Sequence, residues 1–235
     1  MTVGKIHNQE AFLSNIAGQL GRERRTEGVQ RPQWKKQPQQ EVFAGASKEE
    51  LQEILIRQCG TIHTSVDTTT TSDLPKTLNE ALEKFGSSPA VYWEDERFHS
   101  FGLDPVLEAL PESRAWSDED REEMTAFAER AKIGVTFSDI TLAESGTVVL
   151  FSAPGKGRAV SLLPEVHIAL IPRSTLVPRM TQAAEEIHRM RKEEGRVPSC
   201  VNFISGPSNS ADIEMRLLVG VHGPVSAHYI IIEDA

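Results

Sequence analysis

A run of small, hydroxyl-bearing and turn-forming residues between Ser205 and Ser210 is the part of the sequence best suited to binding a ligand. It follows an apolar run, Val201–Ser205, that is typical of a strand, and a helix is expected after it. In an open α/β sheet, ligands bind beyond the carboxyl ends of strands, and free N–H groups at a helix start attract anions. The segment therefore predicts a site for a carboxylate or phosphate, or else a plain helix start capped by Ser208 or Ser210. The candidate binding residues are Ser205, Gly206, Ser208, Asn209, Ser210 and Asp212.

Glu144 is the candidate catalytic residue of a second segment, which precedes a predicted strand at Thr147–Ser152. It is followed by the hydroxyl-bearing residues Ser145 and Thr147 and by Gly146, whose backbone can adopt conformations that other residues disfavour. A carboxylate partly removed from water can act as a base or a nucleophile. The alternative is a tight turn in which Glu144 faces solvent or caps a neighbour. The candidate binding residues around it are Ser145, Gly146 and Thr147.

His222 is the second candidate catalytic residue, because the glycines and proline of Gly220–Pro224 frame its imidazole. It could act as a general acid or base or donate a hydrogen bond to an anion, and a loop-locking hydrogen bond to carbonyl groups is the alternative. His167 begins a predicted strand, where a core histidine is the commoner interpretation. Cys59 and Cys200 lie far apart, and no histidine spacing fits a metal. We expect no metal and no cofactor in this chain.

Gly155–Arg158 contains part of a dinucleotide-binding glycine motif but lies between two predicted strands instead of opening a helix. A hairpin loop is the better interpretation. Lys156 and Arg158 could still overhang an anionic ligand.

The composition narrows the classes of partner. The chain has 235 residues, a net charge of −9 and a sequence pI of about 5.3, which argues against a general affinity for nucleic acid. Basic residues are concentrated at 21–38, six against two acids, in a Gln- and Pro-rich stretch. The sequence shows neither a signal-peptide apolar region nor the ~20 apolar residues of a membrane span. We therefore expect a cytoplasmic protein.

The elements that must position these residues form an α/β pattern. An amphipathic helix over 8–20 and the basic arm after it, residues 1–41 in all, precede one predicted domain, 42–235. A helix between Val166–Ile171 and Val201–Ser205 predicts a right-handed crossover in a partly parallel sheet. The predicted helices are Ser47–Gly60, Asp73–Phe85, 104–110, Ser117–Lys132 and Thr175–Glu194. The predicted strands are Thr61–Val66, Ala90–Trp93, Ile133–Phe137, Thr147–Ser152, Ala159–Leu162, Val166–Ile171, Val201–Ser205 and His228–Glu233.

Five ordered blocks across about 80 residues carry a specific likeness. They are Ala143–Thr147, Gly157–Arg158 with Ser161–Pro164 and His167, Asn202–Ser208, Ala211–Glu214 and Gly220–Pro224. Together they resemble the LUD (lactate utilisation domain) family. Ile6–Phe12 and Leu20–Arg22 resemble family members too, so the likeness covers nearly the whole chain.

The resemblance implies a Rossmann-like α/β fold, with a mixed or parallel sheet flanked by helices, of the kind shared by sugar-phosphate isomerases and CoA transferases. It also implies participation in the oxidation of L-lactate to pyruvate, which supports growth on lactate. Two companion proteins are implied, one cysteine-rich and one iron–sulfur-bearing, and the clusters are expected in those partners. Glu144 occupies a place similar to the nucleophilic glutamate of CoA transferases, although the sequence around it differs from theirs.

Three functions are compatible with these features. The leading hypothesis is a subunit of a bacterial lactate-oxidising system, with a pocket of Glu144, Ser205–Ser210, Asp212 and His222 that binds a small carboxylate such as lactate or pyruvate. The first alternative is a stand-alone acyl-CoA transferase or sugar-phosphate isomerase that acts through Glu144. The second is a non-catalytic assembly subunit whose N-terminal helix and basic arm dock the companions.

Overall fold

The chain divides into two compact units, residues 1–38 and 39–235. The computed structural model describes residues 6–30, 32–193, 195–213 and 216–235, with the backbone alone for 211–213, 216 and 217. In the first unit, helix α1 spans Gln9–Gln19, which confirms the predicted N-terminal helix. Asn8 precedes α1 in a left-handed conformation without a side-chain cap, and Gly21, with φ +65°, follows its end.

The second unit alternates helices and strands, with α2 at its start. The helices are α2 (Pro38–Glu41), α3 (Lys48–Thr61), α4 (Leu74–Phe85), α5 (Glu96–Ser100), α6 (Asp104–Glu108), α7 (Arg121–Arg130), α8 (Ala159–Leu162) and α9 (Met180–Glu193). The strands are β1 (Thr64–Thr69), β2 (Ala90–Tyr92), β3 (Ser113–Ala115), β4 (Ile133–Phe137), β5 (Ile140–Leu142), β6 (Thr147–Phe151), β7 (Val166–Pro172), β8 (Leu176–Val177), β9 (Val201–Ser205), β10 (Asn209–Ile213), β11 (Arg216–Val219) and β12 (Ser226–Ile232).

Local signals set most helix boundaries. The predicted capping box is present at α3, where Ser47 and Glu50 each satisfy a backbone N–H of the other. The prediction that Gly60 ends this helix is wrong, because α3 continues to Thr61 and β1 therefore begins only at Thr64. A Cβ added at Gly60 would meet no atom within 4 Å, so close packing does not require glycine here. A glycine inside a helix costs roughly 1 kcal/mol of stability relative to alanine, which α3 tolerates.

Six strands form a parallel sheet in the order β1-β12-β7-β4-β2-β3. Every residue of the central strands β4 and β7 is buried. Both faces of a parallel sheet are covered by other elements, so its strands are continuous apolar runs instead of alternating ones. This architecture confirms the α/β class with a largely parallel sheet flanked by helices.

The chain changes its direction across this sheet between β2 and β4. It leaves β2 for the edge strand β3, then returns past β2 to β4 and continues to β7 and β12. Crossovers that depart in opposite directions leave a crevice at the carboxyl ends of the two strands. The fold therefore offers a ligand-sized opening beyond Tyr92 and Phe137.

A second sheet has the order β8-β5-β6-β9 and is mixed, with β5 parallel to β8 and β6 antiparallel to both of its neighbours. The predicted crossover from Val166–Ile171 to Val201–Ser205 is wrong, because β7 lies in the six-stranded sheet and β9 in this second one. The strand–helix–strand order alone does not specify which sheet receives the last strand. The half-exposed strand β9 pairs instead with β6, placing Thr147 opposite Ser205.

The predicted strand at Ala159–Leu162 is a short helix, α8. A Cβ on Gly134 would lie 1.8 Å from the Val160 carbonyl oxygen, so the backbone of α8 passes directly over β4 where no side chain intervenes. Short apolar runs fit a strand and a buried helical turn equally well, which explains the error. The helices predicted from Ser117 and Thr175 begin later, at Arg121 and Met180.

The helix expected after Ser210 is also wrong. Residues 209–213 and 216–219 form a two-stranded antiparallel hairpin in which Ser210 pairs with Leu218. No helix therefore begins at Ser208 or Ser210: the Ser208 N–H donates to the Pro224 carbonyl, and Ser210 lies in a paired strand.

Aromatic contacts fix helices on one face of the main sheet. The Phe85 ring of α4 lies 5.3 Å from the His228 ring, and the Phe98 ring of α5 lies 4.9 Å from that of Phe137. The opposite face carries Tyr229, which reaches the loops of the second sheet. In the described part of the chain, no helix combines the length and the apolar character needed to cross a membrane.

Candidate functional site

Two carboxylates and two cations meet at the carboxyl ends of β2 and β4. Arg97 Nη2 lies 2.6 Å from Asp95 Oδ2 and 3.0 Å from Asp139 Oδ1. Lys156 Nζ lies 2.7 Å from the same Asp95 oxygen and 3.7 Å from Asp139 Oδ1. Only 5% of the Asp95 side chain and 14% of the Asp139 side chain are exposed. The crevice between the two strands therefore has a charge-balanced base.

Pairing holds this cluster in its ionised form. Burial alone would raise the pKa of Asp95, but hydrogen bonds from Arg97 and Lys156 outweigh burial and hold that pKa well below its usual range. Asp139 also accepts a hydrogen bond from the Phe151 N–H at 2.8 Å. Buried ions each cost several kcal/mol unless partners satisfy them, so these side chains depend on one another.

The loop that carries Lys156 is fixed by two tryptophans. The Trp93 indole N–H donates a hydrogen bond to the Gly157 carbonyl at 3.0 Å. A Cβ on Gly157 would lie 2.0 Å from the Trp116 ring, so the backbone lies against that ring only because residue 157 has no side chain. The Gly155 N–H donates to Asp118 at 3.0 Å. The loop is therefore held rigidly before any ligand binds.

This loop forms one wall of a cleft of about 850 Å³. Arg121, Lys156 and Arg158 line it together with the Ser152 and Ser199 hydroxyls. A cavity of about 390 Å³ shares Ser152, Lys156 and Ser199 with this cleft. A third cavity, of about 590 Å³, shares Asp139 and Phe151 with the second one. We call these three cavities the carboxyl-edge groove. Lys156 and Arg158, noted in the sequence as residues that could overhang an anion, both lie on it.

Sequence reasoning passed over Asp95, Arg97 and Asp139. A signal was available, because Asp95 and Asp139 each come just after a predicted strand, at Ala90–Trp93 and Ile133–Phe137. Parallel strands bring such residues to one edge of the sheet. The tertiary fold was needed to show that these two strands are neighbours.

The predicted glycine- and serine-rich segments lie at the opposite end of the sheet. The β6–β9 pairing joins Ser145, Thr147 and Ser205 in a line of hydroxyls, with Ser145 Oγ 2.6 Å and Ser205 Oγ 2.7 Å from Thr147 Oγ1. Thr147 is 3% exposed. The three hydroxyls form hydrogen bonds to one another across the two segments.

Gly146 and Gly206 approach each other around the hydroxyl of Tyr229. This hydroxyl accepts a hydrogen bond from the Gly206 N–H at 3.3 Å and donates one to the Gly146 carbonyl at 3.1 Å. Burial raises the pKa of Tyr229. A Cβ on Gly206 would lie 2.6 Å from the Ile62 carbonyl oxygen, just before β1. Here the glycines serve close packing at the amino end of the sheet.

Glu144 and His222 lie apart from the groove. Glu144 Oε2 accepts a hydrogen bond from Arg179 Nε at 2.6 Å, in a half-exposed ion pair. His222 is exposed in a loop tied to Ser208, whose N–H donates to Pro224 and whose carbonyl accepts from Gly220.

Of the predicted site residues whose side chains the structure describes, none lines any of the three groove cavities. Asn209 is exposed and its amide donates to the Pro207 carbonyl at 3.0 Å, while Ser210 is buried. Asp212 lies in β10, and its side chain is outside the described residues. The catalytic and binding roles assigned to these residues stay predictions.

The two thiols differ in environment. Cys59 is fully buried, and burial raises its pKa to about 12. Cys200 is half-buried and lines the cleft. Within the described residues, no group of three or more His, Cys, Asp and Glu side chains is arranged to hold a metal ion.

Fold and groove together place the chain among α/β proteins with a crevice at the switch point of a parallel sheet. Residues 49–232 match the model of the LUD domain family, and the chain belongs to that family.

Curated relatives match over the full length. The chain is similar to "Lactate utilization protein C" of Geobacillus sp. (strain WCH70), at 52% identity over 100% of this chain and 99% of that protein. It is also similar to the protein of that name from Shouchella clausii (53%, 97% of this chain and 99% of that one) and from Bacillus subtilis (49%, 100% of both).

A solved structure shares the fold. The crystal structure of a DUF162 family protein from Deinococcus radiodurans has a TM-score of 0.56 and 20% identity, and the match covers 80% of this chain and 99% of that one.

Proposed function

We propose that this chain is a cytoplasmic component of a bacterial L-lactate utilisation system that oxidises L-lactate to pyruvate. The observation that carries the proposal is the identity of 52% across its whole length to a relative named for lactate utilisation. An end-to-end match supports a shared role more strongly than a shared domain does, because it includes the N-terminal helix and arm.

Electron transfer in this proposal belongs to two partner proteins, one cysteine-rich and one carrying iron–sulfur clusters. The sequence has two cysteines, whereas a cluster is commonly held by four cysteine thiolates. Those two cysteines also lie in different places, one in the core and one in the cleft. These features support a chain that assists oxidation while its partners hold the clusters.

The test is reconstitution of lactate oxidation from purified partner proteins with and without this chain, with pyruvate formation as the readout. We expect omission to reduce the initial rate at least tenfold and re-addition of the folded chain to restore it. Heat-unfolded chain serves as the control and should restore nothing. An unchanged rate without the chain would remove it from the oxidation step.

A pull-down separates an assembly role from a direct one. Deleting residues 1–40 should release the partner proteins if the N-terminal helix and arm dock them, while the melting transition of the remaining domain stays unchanged. Full retention of both partners by the truncated chain would contradict docking through this segment.

A further inference from the structure

The carboxyl-edge groove has the position that an α/β fold provides for a ligand. It lies beyond β2 and β4, where the chain changes direction across the sheet. Two members of the charged cluster, Asp139 and Lys156, line the groove, and their ion pairs with Arg97 and Asp95 hold them in place. A ligand would therefore find a fixed surface.

The charge of the groove opposes that of the chain. Among the residues that the structure describes, six cationic side chains and three carboxylates line the three cavities, whereas the whole chain has a net charge of −9. The cations are Lys48, Arg121, Lys156, Arg158, Arg189 and Arg196. A cationic groove on an otherwise acidic protein attracts anions to the groove specifically, because the rest of the surface repels them.

Arg158 is the cation of the cleft that is best placed to bind a ligand. It is exposed and forms no ion pair with any described residue, whereas Arg121 lies 3.3 Å from Asp118 and Lys156 is paired with Asp95. The loop before it is fixed by Trp93 and Trp116. Arginine binds phosphate oxygens through two parallel hydrogen bonds, which favours a phosphate at this position.

The size of the cleft favours a ligand larger than lactate. A volume of about 850 Å³ is within the range of roughly 300–1,000 Å³ that encloses ligands of drug or cofactor size, far larger than a three-carbon acid. A phosphate ester has roughly two negative charges near neutral pH. Arg158 offers it an exposed guanidinium, and the partly neutralised Arg121 and Lys156 line the same cleft.

We propose that the cleft binds a phosphorylated organic ligand of cofactor size, with its phosphate oxygens held by Arg121, Lys156 and Arg158. The lining of this cleft includes no residue of the predicted pocket at Ser205–Ser210.

Cys200 provides the readout, because it lines the cleft while Cys59 is buried. The full-length chain is treated with iodoacetamide in the presence of inorganic pyrophosphate, ADP or lactate, and alkylation of each cysteine is followed by mass spectrometry. We expect saturating pyrophosphate or saturating ADP to slow Cys200 alkylation at least tenfold. ADP should reach this protection at a lower concentration than pyrophosphate does. Lactate at the same concentrations should leave the rate unchanged, and Cys59 should stay unmodified throughout.

Variants of Arg158, with a matched variant of a distant arginine as the control, test whether Arg158 contacts the ligand. Arg158→Ala should weaken ADP binding, measured by isothermal titration, at least tenfold, and Arg158→Lys should recover part of it. Arg57→Ala removes the same charge from an exposed arginine of α3 outside the groove and should leave binding unchanged.

Three results would overturn the proposal. They are the absence of both heat and protection with pyrophosphate and ADP at millimolar concentration, equal protection by lactate, and an equal loss of binding in Arg57→Ala. None of them bears on the reconstituted lactate oxidation, because the binding test uses the isolated chain.

Discussion

The two ends of the six-stranded sheet use polar residues in opposite ways. At the carboxyl end, Asp95, Arg97, Asp139 and Lys156 form a charged cluster beneath an open groove. At the amino end, the hydroxyl of Tyr229 hydrogen-bonds both glycine loops where they pack closely. The polar groups at one end shape a surface that can receive a ligand, and those at the other close a junction between two sheets.

The comparison separates two meanings of a glycine-rich segment. Gly157 allows a rigid loop to lie on Trp116 beside the cleft, whereas Gly206 allows a loop to lie on the Ile62 carbonyl inside the fold. Both glycines permit a close approach, but only the first places cationic neighbours at an opening. Composition alone therefore does not distinguish a ligand-binding loop from a packing loop.

Removing one carboxylate at the carboxyl end should have the largest effect. Asp95→Asn leaves Arg97 and Lys156 with Asp139 as their shared acidic partner, and we expect the free energy of unfolding to fall by about 3 kcal/mol. Urea denaturation measures this loss. Glu119→Gln, at an exposed position, should change the free energy by less than about 0.5 kcal/mol. Equal values for the two variants would show that the cluster contributes little to stability.

The stability of the chain in mild acid tests the amino end of the sheet, where the His167 side chain is buried. His167 is 1% exposed, and its Nε2 lies 2.9 Å from the Thr136 hydroxyl. Burial lowers the pKa of His167 from 6.5 to about 4. The unfolded state therefore takes up this proton at a higher pH than the folded state does. We expect the free energy of unfolding to fall by up to about 3 kcal/mol as the pH is lowered from 6.5 to 4.

His167→Gln serves as the control for this pH dependence. It should flatten the curve of unfolding free energy between pH 6.5 and 5. His228, whose pKa burial also lowers, keeps a residual slope of the same sign. A slope unchanged by His167→Gln would show that this imidazole does not carry the effect.

Tyr229→Phe should loosen the amino end alone. The Gly206 N–H loses its acceptor in a buried site, so we expect a loss of roughly 1–3 kcal/mol in the free energy of unfolding. Tyr92→Phe is the matched control, because the Tyr92 hydroxyl forms no hydrogen bond with a described residue, and it should cost less than about 0.5 kcal/mol. If Tyr229→Phe also abolished ADP binding, the two ends would not be independent.

The smallest effect is expected at Glu144. Its ion pair with Arg179 is half-exposed, so Glu144→Gln should lower the free energy of unfolding by no more than about 1 kcal/mol. We expect reconstituted lactate oxidation to continue in this variant, because the Glu144 carboxylate is already engaged in its ion pair with Arg179. Lost activity with full stability would instead identify Glu144 as the nucleophile or base predicted from the sequence.

Much of the secondary structure was predictable because its causes are local. The capping box at Ser47, the proline in the first turn of α4 and the apolar run of β4 each specify an element within a few residues. Errors occurred where distant contacts decide, as at Ala159–Leu162, which is helical where it passes over Gly134. The sequence alone left these cases ambiguous.

The candidate site was predicted less completely. Sequence reasoning found Lys156 and Arg158 but favoured Ser205–Ser210, since clustered serines and glycines are typical of anion-binding turns. A turn binds an anion only if its N–H groups remain unpaired. In this segment the Gly206 N–H donates to the Tyr229 hydroxyl and the Ser208 N–H donates to the Pro224 carbonyl, while Ser205 and Ser210 lie in paired strands.

The sequence by itself determined the α/β class, the family likeness and most helices and strands, because these depend on periodicity, caps and ordered motifs within short segments. The tertiary structure decided which strands are neighbours, and with that which end of the sheet is open. Asp95 and Asp139 are 44 positions apart and meet only because β2 pairs with β4. The position of a charge relative to a sheet edge is a property of the assembled fold, since hydrogen bonding between distant strands sets it.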